Sequence, residues 1–148
     1  MSEASIRAGI KSVLNTVADI GAVHDYERYP TNNDWSAFLT LFKATIGGVD
    51  QVRGWTLSRR SSSDSMNNPV PHAYIIRGMM SFKDSTETEK TFTTLIESVR
   101  TAFRADKTLS GNALGHDFIQ VSLQEPRFFG GVLCHYCELS ITAYEHVY

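Results

Sequence analysis

Hydrophobic and polar positions alternate along residues 116–146, HDFIQVSLQEPRFFGGVLCHYCELSITAYEH, and the rest of the chain has to cover this stretch. Ile119, Val121 and Leu123 stand between Gln120, Ser122 and Gln124, while Leu133, Cys137, Leu139 and Ile141 stand against Glu138, Ser140 and Thr142. A period of two predicts two strands, each with one buried face. They fold back on each other near PRFFGG, where Pro126 lacks an N–H and Gly130-Gly131 permit positive φ.

The period changes to a helical one at residues 5–18. There Ile6, Ile10, Val13, Leu14 and Val17 form one stripe, with Ser2 or Ser5 as cap and Gly21 at the left-handed position ending the helix. AVHDYERY predicts a short strand stopped by Pro30. Asn32, Asn33 and Asp34 then introduce a short apolar helix over WSAFLTLFKA, broken by Gly47-Gly48. A strand over VRGWTLSRR is anchored by Trp55 and Leu57, and the polar run at 61–71 predicts a mobile excursion into a second strand, HAYIIRGMMSF. In that second strand Tyr74, Ile76, Met80 and Phe82 face one way and Ile75 and Met79 the other, with Gly78 marking a bulge or a close backbone approach. Asp84 and Glu87 have capping-box spacing, so the best-defined helix starts at Ser85 and carries Phe92, Leu95, Ile96, Val99, Ala102 and Phe103 on one stripe. A two-glycine loop, 106–116, returns to the C-terminal strands.

This order predicts an α+β fold: a four-stranded, mostly antiparallel sheet with two main helices packed on one face, plus a short strand and a short helix. At 148 residues, 42% hydrophobic and 11% aromatic, residues 1–148 suffice for a single domain with a proper core. Fourteen Lys and Arg against 16 Asp and Glu give no charge argument for nucleic acid or a membrane surface. There is neither a spanning apolar run nor a signal-type N-terminus, so the cytoplasm is the simplest placement.

Candidate chemistry changes this picture little. Cys134 and Cys137 form a C-x-x-C, but three residues apart on a strand point to opposite faces, which opposes a shared metal or an unstrained disulfide. Five histidines lack metal-site spacing, and a zinc site would have to assemble in space from His72, His116 and His135. No nucleophile elbow or phosphate-cradling glycine motif is present. Asp25 and Glu27 on one strand face read as solvated edge charges rather than an acid/base pair. Arg59-Arg60 suit phosphate, but without interleaved aromatics an ion pair between subunits fits better. Trp35, Phe38, Phe42, Phe128 and Phe129 lie in short or loop-like segments, where they either fill the core or form an oligomer interface.

VHDYERY, RGW, YIIRGMMSF leading into STETEKTF, TAFRAD and above all EPRFFGGVLCHYCELSITAYE follow one another over nearly the whole chain. The succession resembles small proteins encoded among the tail genes of tailed bacteriophages and prophages, specifically the tail terminator (tail completion) family. That resemblance implies a structural virion protein and no enzyme, cofactor or metal. It implies a ring, commonly a hexamer, that caps the tail tube protein, joins it to the head-tail connector protein and resides in the tail or neck of the virion after assembly in the host cytoplasm. Membrane and specific nucleic-acid partners are not implied. Contact candidates in this sequence are residues 58–72 with Arg59 and Arg60, the helix from Trp35 through Phe38 to Phe42, and the Phe128-Phe129 turn. The alternatives are another neck or minor tail protein, or a ligand-binding or catalytic domain using His135 or Tyr136 on the sheet's open face.

Overall fold

The structure is a computed structural model describing residues 1–30, 32–64, 66 and 68–146, with the side chain of Asp84 also outside the described set. Helix α1 (Glu3–Asn15) starts at a reciprocal cap in which Ser2 Oγ accepts from the Ser5 N–H and Ser5 Oγ accepts from the Ser2 N–H. Such a cap stabilises a helix by about 1 kcal/mol. Strand β1 (Ala22–Val23) follows, then α2 (Trp35–Phe42), β2 (Lys43–Ile46), β3 (Val49–Ser62) and β4 (Val70–Ser81). A 3₁₀ turn (Asp84–Thr86) leads into α3 (Thr88–Ala105), after which come β5 (Gly115–His116), β6 (Gln120–Phe129) and β7 (Val132–Glu145).

The expected four-stranded, mostly antiparallel sheet is overturned: seven strands form one mixed sheet. Its path runs β1-β3-β4-β7-β5, with β2 also on β3 and β6 also on β7. The mixed character comes from β1, which pairs parallel to β3 through Ala22↔Gly54 and Val23↔Trp55. Only two residues of AVHDYERY join the sheet. Asp25 and Glu27 therefore share no strand face; the Asp25 carbonyl accepts from Arg7, and the Glu27 carboxylate meets Arg77 at 3.4 Å.

Three further expectations are corrected. Gly47-Gly48 do not end a helix but turn a β2–β3 hairpin, with both φ values positive, as Gly130-Gly131 do between β6 and β7. Gly21 does not cap α1, which ends at Thr16; it lies against β3, where a Cβ would stand 2.2 Å from the Arg53 carbonyl oxygen. The last long helix begins at Thr88, not Ser85, after Glu87 at φ 56°; the expected Asp84 cap lies outside the described residues. So does part of the expected polar excursion, Ser65 and Asn67.

The two faces of the sheet are covered differently. Ile6, Ile10 and Leu14 of α1 and Phe92, Ile96, Val99 and Phe103 of α3 pack with Trp55, Leu57, Tyr74, Ile76, Met80, Leu139 and Ile141 in the main core. Leu109 and Ala113, from the loop after α3, close one end of it. On the opposite face α2 covers Val52 and Met79 with Phe38 and Phe42. Among the described residues no helix is long and apolar enough to cross a membrane.

Candidate functional site

The second face of the sheet carries an enclosed surface cleft, and α2 builds it. Asp34 caps that helix by accepting from the Ala37 N–H at 2.8 Å, which fixes Trp35, Phe38 and Phe42 over the sheet. Phe129 reaches the same cluster from β6, its ring 4.9 Å from Phe38 and 5.8 Å from Tyr136. The β6–β7 turn abuts the helix start so closely that a Cβ on Gly130 would stand 2.5 Å from the Trp35 nitrogen.

The structure thus brings four of the sequence-derived interface candidates together and separates three. Phe38 and Phe42 are buried within the subunit, and Trp35 and Phe129 are half-buried against them. Phe128, next in the chain to Phe129, is 73% exposed. Arg59 and Arg60 stand exposed at the far end of β3.

Beside α2, residues 27–30 with Asn33 and Asp34, and the β6–β7 turn, enclose a cleft of about 290 Å³ floored by Thr56, Met79 and Tyr136. Two of its guanidiniums, those of Arg77 and Arg127, are matched internally. Arg77 donates to Ser58 Oγ at 2.7 Å and meets Glu27 at 3.4 Å. Arg127 donates to Glu125 at 2.8 Å and lies 4.3 Å over the Tyr136 ring. Burial, and then its hydrogen bond to Glu138, push the Tyr136 phenol up to about 12. The Tyr29 phenol is raised by its hydrogen bond to Glu27. Phenols held protonated and guanidiniums paired to carboxylates give this cleft aromatic and polar surface that can pack against a docked group.

A second cleft, about 530 Å³, opens on the helix face between α3 and β6. His135 forms its floor, 4% exposed, its ring 4.4 Å from Phe82 and 5.6 Å from Phe92. Its Nε2 lies 2.8 Å from Thr88 Oγ1. Burial lowers its pKa from the ordinary value, and the Glu89 charge opposes that. His135 consequently faces the helices, whereas Tyr136 faces the other side. Glu89 and Gln124 share this cleft, but only the strand register makes them neighbours, so no sequence signal marks it.

The remaining histidines are engaged separately. His72 meets Glu145 at 2.7 Å, His24 meets the Leu41 carbonyl, and His116 reaches the Phe103 and Asp106 carbonyls at the end of α3. Among the described residues no three His, Cys, Asp or Glu side chains gather closely enough to hold a metal ion. Cys134 and Cys137 are both free and fully buried, and burial raises their thiols to about 11 and about 12. Searched against family models and against curated proteins, the chain finds no match in either.

Proposed function

We propose that this is a structural protein of a tailed phage or prophage, whose copies assemble into a ring that ends the tail tube and joins it to the head connector. The observation that carries the reading is Phe128, 73% exposed at the β6–β7 turn immediately beside the packed Phe129. A large aromatic left in water on a hairpin tip is a liability to a lone subunit and an anchor to a neighbour. Other exposed apolar side chains stand elsewhere on the surface, Val49 at the β2–β3 turn and Phe118 before β6. Contacts through unlike patches are heterologous, and such contacts form a ring when the rotation between successive copies closes.

Strand β6 refines how neighbours meet. Among the described residues it pairs only with β7, leaving a ten-residue edge. Pro126 supplies no N–H in the middle of that edge, and Glu125 and Arg127 place charge on it. These devices oppose strand-to-strand addition, so side chains rather than a continued sheet make the contact. Light scattering after size exclusion, with negative-stain imaging, should give a ring-shaped multimer that caps purified tail tubes. A protein that stays monomeric at high concentration and leaves tube length unchanged would sink the proposal.

A further inference from the structure

We propose that the cleft between α3 and β6 is the socket of the ring contact, receiving the Arg59-Arg60 pair of a second copy of this chain. The inference rests on the ring reading above and names the two surfaces that meet.

The cleft has the chemistry of a cation site. Phe82, Phe92 and the His135 ring give it aromatic walls, Glu89 and the Gln124 side-chain oxygen give it acceptors, and among the described residues no Lys or Arg lines it. Glu89 accepts a hydrogen bond from Thr93 Oγ1 but makes no ion pair among the described residues. His135 contributes as well. Its Nε2 and the Lys83 carbonyl both lie within hydrogen-bond distance of the Thr88 hydroxyl, which holds the ring beside Phe82. An arginine inserted here gains carboxylate contacts and stacks on aromatic faces, which a planar guanidinium does better than an ammonium.

The chain cannot fill this cleft itself. His135 pairs with Met80 and Arg59 with Tyr74, six positions apart along β4, which is roughly 20 Å at strand spacing. Arg59 and Arg60 are exposed and enter no ion pair among the described residues. Socket and plug therefore lie at different ends of one sheet. That arrangement is heterologous and gives each subunit one of each.

Complementary variants test it. Light scattering of the wild-type protein should show the multimer, while Arg59→Glu with Arg60→Glu, and separately Glu89→Lys, should each give monomers at the same concentration. Mixed in equal amounts they should recover multimers, because the intact arginines of one variant meet the intact cleft of the other and, at the next contact, the introduced glutamates meet the introduced lysine. Unchanged circular-dichroism melting shows that both variants fold. The milder Glu89→Gln should weaken assembly at least about tenfold without that concern. If both charge variants assemble like wild type, or their mixture stays monomeric while wild type forms rings, the socket is wrong and the ring stands. A wild type that stays monomeric and leaves tube length unchanged overturns both.

Discussion

Gly78 on β4 lies beneath the Trp55 ring, and a Cβ there would stand 2.4 Å from Trp55 Cζ3. The indole cannot retreat easily, because its Nε1 donates to the Ile20 carbonyl at 2.9 Å and the ring is fully buried. Gly78→Ala should therefore destabilise the protein by roughly 1–3 kcal/mol, the usual cost of overpacking, measured as a lower urea midpoint. The sequence expectation of a bulge or a close approach at Gly78 resolves to the close approach; the register irregularity falls between Arg59 and Ser61 instead. His135 supplies a pH dependence. Burial sets its folded pKa below the unfolded value, so the unfolded chain binds the proton more readily. The stability due to the neutral ring is complete above the unfolded pKa of about 6.5 and is lost as pH falls below it. His135→Gln should shrink the drop in urea midpoint between neutral and mildly acid buffer; an unchanged drop would assign the dependence to other groups.

Within elements, the β6–β7 hairpin shows how alternation divides adjacent residues. Phe128 and Phe129 look alike in sequence, yet one side chain packs on Phe38 while the other stays 73% exposed. Phe129→Ala should lower unfolding free energy by on the order of 2 kcal/mol, below the range for fully buried phenylalanines because the ring is only half-buried. Phe128→Ala should change stability by less than about 0.5 kcal/mol, as surface substitutions do, and reduce assembly instead. Denaturation and light scattering on the same two variants separate these roles. Strand β2 escaped the sequence reading because KATI continues the apolar run of α2, and four residues are too few to display a period. Its identity as a strand comes from pairing with Val49–Val52 across a two-glycine turn.

At the scale of the whole molecule the two sheet faces are unequal. α1 and α3 share one continuous core with the central strands, whereas the opposite face has a small cluster of Phe38, Phe42, Val52 and Met79. Native-state hydrogen exchange should accordingly show α2 and β2 opening at lower free energy than α3, β4 and β7. Equal protection in the two layers would mean that the small cluster is as cooperative as the main core. The same inequality leaves room on both sides of β6 for clefts, one beside α2 and one beside α3. Assembly surfaces can form there without disturbing the main core.

The sequence by itself determined α1, α3 and the existence of the strands that became β3, β4, β6 and β7, but not the buried face expected of β6, which starts at Gln120 and is exposed along most of its length, Val121 included. It also placed Cys134 and Cys137 on opposite sides of a strand, since backbone alternation alone fixes that. Only the tertiary structure decided the mixed seven-stranded sheet, since parallel pairing of two residues of β1 with Gly54 and Trp55 leaves no local pattern. Only it separated Phe128 from Phe129 and gathered Glu89, Gln124 and His135 around one cleft. Periodicity tells each element which side to bury, while register and packing choose what it meets there.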